Sequence, residues 1–222
     1  MSQLLSVRGI ERTTPAFRAA LVRGALARGL DPNHLATVIS LESQFNPQAE
    51  NKYSHALGLI QWVSDTSFKD TARRAGMPWL VRSDLKRMTA EQQLPLVFAW
   101  FDNSAARLRT HGRLVDYYLA VWGPAHIGKA PATVVAQAPS LTYEQNKGFD
   151  DPVNGVRKGY FTIDDIAREV NGIRSAALGR PAVDASDPPA HLGPMLAAVA
   201  VALGTYALLP RTAVGRRVLA FG

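Results

Sequence analysis

The sequence predicts a mainly α-helical domain followed by one C-terminal hydrophobic helix. Between about Thr14 and Ile173, apolar residues recur three and four positions apart, which is the spacing of one helix face. Alternation of polar and apolar residues, the pattern of a half-buried strand, is nearly absent from this stretch. With 222 residues, of which 47% are hydrophobic, the chain is long enough to bury one ordinary core.

Capping residues locate the start of three helices. Asp31 followed by Pro32 supplies an N-cap and a first helical residue. Thr89 precedes the apolar run "AEQQLPLVFAWF", and Thr162 stands three residues before Asp165 in the pattern of a capping box. We therefore expect helices to begin directly after Asp31, Thr89 and Thr162.

The composition changes near the C-terminus. Residues 176–190 are rich in Pro, Ala and Asp, as is typical of a linker, so the helical domain is predicted to occupy residues 1–175. Residues 191–210 contain no Lys, Arg, Asp or Glu, and 18 of them would span about 27 Å as a helix, which predicts a transmembrane segment. An Ala-rich helix buried in a protein assembly is the alternative. The basic tail, residues 211–222, would favour the cytoplasmic side.

The charge and the residue inventory restrict the possible partners. A net charge of +7 favours anionic partners. The basic residues are spread among many helices without a nucleic-acid-binding motif, so we predict no nucleic-acid partner. The chain has no cysteine, and its five histidines lack the spacing of a zinc site. We therefore predict no metal and no cofactor.

One carboxylate, Glu42, follows the apolar face of the helix that begins at Pro32. Leu35, Val38 and Ile39 precede it by seven, four and three residues, which places all four on one face. Burial and the negative end of the helix dipole both favour the neutral acid, so we expect a raised pKa. Such a carboxyl group can act as a general acid. The alternative is a glutamate that reaches solvent or pairs with an arginine.

Two motifs follow in order. "ESQFNPQA" runs from Glu42 to Ala49, and Gly58-Leu59-Ile60-Gln61 comes after "SHA". These motifs and their separation resemble those of soluble lytic transglycosylases of the goose-lysozyme-like type, over roughly residues 30–175. The resemblance implies a lysozyme-like fold and cleavage of the β-1,4 bond between N-acetylmuramic acid and N-acetylglucosamine in peptidoglycan, with Glu42 as the catalytic acid and base.

The resemblance also implies where the glycan binds. The third family motif, Ala-Tyr-Asn-Ala-Gly, should fall near "YYLAVWGPAHIG", where Val121-Trp122 replaces Tyr-Asn. Either Tyr118 or Trp122 would then form that part of the cleft. The expected substrate-binding residues are Ser54, Gly58, Leu59, Gln61, Tyr118 and Trp122.

A second catalytic acid is not expected. Asp65 is the nearest carboxylate, but its position after "GLIQWVS" is that of a helix cap. Ordinary glycosidases use two carboxylates. In the family that the chain resembles, one glutamate suffices, because the substrate's own 6-hydroxyl closes an anhydro ring.

The biological setting follows from further resemblances. "AEQQLPLVFAWF" and "YEQNKGFD" resemble versions found in phage proteins, and the apolar run before Arg8 is too short for a secretory signal. We therefore predict a virion protein that opens the host wall during entry and acts in the host periplasm. Its expected partners are peptidoglycan glycan strands, other virion proteins and a membrane through residues 191–210. The alternatives are an inactive structural or wall-binding virion protein and a late lysis enzyme.

Overall fold

Helices dominate the structure, as predicted. The computed structural model describes residues 3–153 and 155–185, all of which lie in one compact unit of the chain. Helices account for 55% of the structure, which confirms the mainly α class. The α-helices are α1 (Pro15–Leu26), α2 (Pro32–Ser43), α3 (Asp65–Arg74), α4 (Ala90–Asp102), α5 (Ala105–His111), α6 (Leu114–Trp122), α7 (Leu141–Asn146) and α8 (Ile163–Leu178).

The three predicted helix starts are confirmed. The Asp31 carboxylate accepts a hydrogen bond from the backbone N–H of Asn33 at 2.8 Å, and Pro32 is the first residue of α2. α4 and α8 begin after Thr89 and Thr162, each with a reciprocal capping box. These caps satisfy backbone N–H groups that a helix cannot satisfy by itself.

Two small antiparallel pairs of strands accompany the helices. β1 (Gln3–Leu4) pairs with β4 (Val183–Asp184), and β2 (Val134–Gln137) pairs with β3 (Tyr160–Thr162). The sequence did not predict them, because two to four residues are too few for a period-two pattern to be recognised. They form through contacts between segments that are distant in the sequence.

The folded part of the chain continues beyond residue 175. α8 ends at Leu178, β4 pairs with the N-terminal strand, and Ala185 is buried. Ten residues of the predicted linker, 176–185, therefore belong to ordered structure, because β1 gives them a partner. The predicted hydrophobic helix, 191–210, and the basic tail, 211–222, lie outside the described residues. Among the helices that are described, none combines the length and the apolar character needed to cross a bilayer.

Helix α2 lies in the middle of the helical assembly. It packs against α1, α6 and α8, and every residue from His34 to Ser40 is buried. Only its last turn reaches an edge of the core. Glu42, the second-last residue of α2, lies in this last turn and is partly exposed.

Helix α6 is held in place by a buried carboxylate. Asp116 is fully buried and accepts two hydrogen bonds from the Arg113 guanidinium, at 2.7 and 2.9 Å. The backbone N–H of Gly128 donates a third at 2.9 Å. Although burial acts to raise the pKa of Asp116, these hydrogen bonds lower it overall. The interaction ties the start of α6 to the segment that follows its end.

We expect Asp116→Ala to lower the free energy of unfolding by about 3 kcal/mol, because it leaves buried donors and a guanidinium without their acceptor. Asp70→Ala, which breaks an exposed ion pair with Arg73, is the matched control and should cost less than about 1 kcal/mol. Urea unfolding measures both. Equal losses for the two variants would show that Asp116 is not an anchor.

Candidate active site

A cleft of about 510 Å³ lies beside the last turn of α2. Its walls come from α2, the loop that leads to α3, the first turn of α3, the ends of α4 and α6, and Asn146 of α7. The polar and aromatic groups of these elements surround one carboxyl group, that of Glu42. This composition suits a polar ligand with apolar ring faces.

Glu42 is half-buried, and its pKa is raised to about 8 by burial. Within residues 3–153 and 155–185, its side chain makes no hydrogen bond and no ion pair that would stabilise the charge. α2 ends abruptly after it, since Gln44 and Phe45 have φ values of 51° and 59°. The carboxyl group is therefore held at the cleft without a counter-ion. With a pKa of about 8, the carboxyl group is mostly protonated at neutral pH.

No second carboxylate lines this cleft in the part of the chain that the structure describes. Asp65, the nearest candidate by sequence, is the first residue of α3, and Ser64 is the N-cap in its place. Its carboxylate pairs with Arg82 at 2.6 Å and lines a separate cavity of about 410 Å³. The site is thus built around one acid.

Tyr118 and Trp122 of α6 form the aromatic wall opposite α2. Burial raises the pKa of Tyr118, and the nearby Glu42 carboxylate, when charged, raises it further. The phenol therefore stays protonated beside the acid. The Tyr118 and Trp122 rings meet edge to face, with centroids 6.2 Å apart. Trp122 also stacks on Phe149, with an interplanar angle of 9°. Trp122, the second residue of the Val121-Trp122 pair, therefore joins an aromatic cluster at the cleft.

Four of the six predicted binding residues line the cleft: Ser54, Gln61, Tyr118 and Trp122. Gly58 and Leu59 do not. Leu59 is fully buried behind the wall, and Gly58 forms the turn with a φ of 80°. Which side chains of a motif face a cleft depends on backbone angles that the sequence letters do not encode.

Gln61 both faces the cleft and holds its loop together. Its amide group donates hydrogen bonds to the carbonyls of Gly58 at 3.0 Å and Ala49 at 3.3 Å. Its φ of 54° is unusual for a residue with a side chain. These two bonds close the loop between the two sequence motifs.

Gln93 of α4 supports the same loop and was not predicted. It is fully buried, and its carbonyl oxygen accepts from the backbone N–H of Leu59 at 3.0 Å. Its amide group donates to the carbonyls of Pro47 at 2.7 Å and Leu85 at 3.1 Å. A Cβ on Gly58 would lie 2.7 Å from this side chain, which explains the glycine. Gln93 lies one helical turn before Val97 on the apolar face of α4. A polar side chain on that face could have been recognised as a buried hydrogen-bonding residue.

Three further cleft residues also escaped the sequence analysis. The Asn51 side chain accepts backbone hydrogen bonds from Tyr53 and Ser54, at 2.9 and 3.0 Å, and so folds the rim loop. Trp100 donates its indole N–H to the carbonyl of Ala120 at 2.9 Å, which joins α4 to α6. Asn146 completes the far wall.

The segment 141–159, which carries Asn146 and Phe149, is held together by Asp150. Asp150 is fully buried and accepts from the Tyr143 hydroxyl at 2.8 Å and the Gly159 N–H at 2.8 Å. Burial alone would raise the pKa of Asp150, but these bonds lower it overall. Asp150 therefore joins α7 to the segment that leads into β3.

Comparison with known proteins bears on this cleft. Residues 21–87 match the family model of the transglycosylase SLT domain. The SLT match includes Glu42, the turn at Gly58 and Asp65. It ends before α6, so the altered third motif at Trp122 lies outside it.

Three similar proteins are lytic murein transglycosylases. The endo-type membrane-bound lytic murein transglycosylases A of Salmonella paratyphi B, Salmonella enteritidis PT4 and Salmonella typhimurium are each 41% identical to this chain over 54 residues. This covers 24% of the chain and 26% of each relative. The chain thus spans about a quarter of the length of these relatives.

We expect Gln93→Leu to lower the free energy of unfolding by about 2–3 kcal/mol, because three backbone groups lose a buried partner. Gln145→Leu, an exposed residue of α7, is the control and should change it by less than about 0.5 kcal/mol. Amide hydrogen exchange should locate the effect at Leu59. Unchanged protection there would contradict the supporting role of Gln93.

Glu42→Gln should stabilise the protein in a pH-dependent way. The pKa of Glu42 rises from 4.5 to about 8 on folding, so the folded chain binds the proton more tightly than the unfolded chain. The free energy of unfolding of the wild type therefore falls as the pH rises from 4.5 to about 8. The variant avoids that loss and should be more stable by about 3 kcal/mol at pH 8, and equal at pH 4. Urea unfolding at both pH values tests this. An equal effect at pH 4 and pH 8 would contradict the shift.

Proposed function

We propose that this protein is a peptidoglycan lytic transglycosylase in which Glu42 is the single general acid and base. The observation that carries the proposal is one desolvated carboxyl group in a cleft whose described walls hold no second carboxylate. A hydrolytic glycosidase ordinarily needs two. The SLT match and the name of the Salmonella relatives, lytic murein transglycosylase, support the same reaction class.

The first step is proton donation to the leaving group. Glu42 is protonated at neutral pH and gives its proton to the oxygen that bridges N-acetylmuramic acid and N-acetylglucosamine. The C1–O4 bond breaks, its electron pair stays with the departing oxygen, and positive charge develops at C1. Tyr118 and Trp122 flank the acid with ring surfaces on which sugar faces can stack.

The second step regenerates the acid. The Glu42 carboxylate, now charged in a desolvated place, takes the proton of the 6-hydroxyl as O6 bonds to C1. A 1,6-anhydro ring forms, no water is consumed, and Glu42 is protonated again. The high pKa of Glu42 favours this return. One side chain thus serves both steps, which is what the arrangement of the cleft allows.

The products distinguish this mechanism from hydrolysis. With purified sacculi, the wild-type chain should release muropeptides whose muramic acid end weighs one water less than a hydrolysed end. Glu42→Gln should lower the rate on the order of 10³-fold, because it removes the proton donor. Glu144→Gln, on the surface of α7, is the control and should keep the wild-type rate.

Mass spectrometry of the released fragments decides among the candidates. Hydrolysed ends would replace the anhydro mechanism with water attack. No release by wild type would leave a structural or wall-binding protein as the function. Equal release by Glu42→Gln would exclude Glu42 as the acid.

We further propose that the enzyme acts as a phage virion component that opens the host wall during entry. The support is the resemblance of the α4 and α7 segments to phage versions of the family. Detection of the chain in purified particles tests this role. Its presence only in late lysates would favour a lysis enzyme instead.

A further inference from the structure

A second cavity of about 250 Å³ adjoins the catalytic cleft. Leu41 lines both cavities, so they are neighbours. The floor of this second cavity is apolar and comes from Leu41 of α2 and from Ile173, Ala176 and Ala177 of α8. Two arginines, Arg8 and Arg180, complete its lining together with Ser40 and Gln44.

The fold brings these two arginines together from opposite ends of the domain. The Ser40 hydroxyl donates to the carbonyl of Arg8 at 2.6 Å. Gly9 packs against the end of α2 so closely that a Cβ there would lie 2.2 Å from the Gln44 carbonyl oxygen. Pairing of β1 with β4 holds the segment after α8, and with it Arg180, beside the N-terminal segment. Both arginines therefore stand at defined places beside the catalytic helix.

The charge of this cavity is not neutralised. Within the described part of the chain, neither Arg8 nor Arg180 pairs with a carboxylate, and no Asp or Glu lines the cavity. In the cavity of about 410 Å³ that Asp65 lines, by contrast, the basic side chains are neutralised, because Arg82 pairs with Asp65 and Lys86 pairs with Glu50. Two exposed guanidinium groups over an apolar floor suit an anion with small apolar neighbours. Planar guanidinium groups match carboxylates in particular.

Resting on the proposed function, we propose that Arg8 and Arg180 bind a carboxylate of the peptide that the glycan carries next to the scissile bond. Each N-acetylmuramic acid bears its peptide on a lactyl ether, so a peptide leaves the sugar beside the cleaved linkage. From the cleft it can pass Leu41 and reach the cavity. Its methyl groups would meet the apolar floor, and its carboxylate would meet the arginines. The enzyme would thus prefer peptide-substituted strands.

Binding to the inactive full-length chain tests the preference without turnover. Glu42→Gln is titrated calorimetrically with a peptide-bearing glycan fragment, with the same fragment after removal of its peptides, and with the fragment after amidation of its peptide carboxylates. We expect the first to bind roughly tenfold more tightly than the other two. The peptide-free fragment keeps a lactyl carboxylate, so it separates that group from the peptide carboxylate.

The arginines are tested on the same background. Adding Arg8→Gln and Arg180→Gln should remove the roughly tenfold preference and leave binding of the peptide-free fragment within about twofold. Adding Arg12→Gln and Arg73→Gln removes the same charge from exposed positions outside both cavities and should keep the preference. This control accounts for general attraction between a basic protein and an anionic polymer.

Other outcomes overturn the inference. Equal affinity for the peptide-bearing and amidated fragments, or a preference that survives loss of both arginines, would exclude the site. Arginine-dependent binding that is as tight for the peptide-free fragment would assign the arginines to the lactyl group and overturn a peptide site. The proposed reaction is judged separately, by release of anhydro-muropeptides from sacculi by wild type. Either proposal can therefore fail while the other stands.

Discussion

Desolvation of one carboxyl group, that of Glu42, is the constraint on which the rest of the site depends. α2 is buried by α1, α6 and α8 over most of its length, and the backbone turns away immediately after the acid. Because burial removes water from the Glu42 carboxyl group, which makes no ion pair and no hydrogen bond to the described residues, the neutral form is favoured and the pKa rises to about 8. The raised pKa of Glu42 makes the fold less stable at neutral pH. In the proposed mechanism, it also keeps a proton available for transfer.

The walls of the cleft are held by buried polar side chains rather than by local structure. Gln93 fixes the loop between the two motifs, Asp116 fixes α6, and Asp150 holds together the segment 141–159, which meets Trp122. Each joins segments that are separated in the sequence, and each is fully buried and hydrogen-bonded. Because every such group would be costly to leave unpaired, these networks have one favourable arrangement. In the mechanism that we propose, a cleft held in this way would present two different oxygens of one substrate to the same acid.

The sequence predicted what is determined locally. The helix starts after Asp31 and Thr162 and the inward position of Glu42 each follow from a few adjacent residues. It did not predict the pairing of β1 with β4 or the role of Gln93, because both depend on partners tens of residues away. For the same reason the helical domain was predicted to end too early. The motif also named Leu59 without revealing that its side chain points into the core.

Direct titration of the Glu42 carboxyl group tests the central claim. The carboxyl carbons of the full-length chain, labelled with ¹³C at glutamate, are followed by NMR from pH 4 to pH 9, and the signal missing from Glu42→Gln assigns the group. We expect a titration midpoint near pH 8. A midpoint near the ordinary value of 4.5 would mean that the carboxyl is solvated and charged at neutral pH, and a proton-donating role for it would be contradicted.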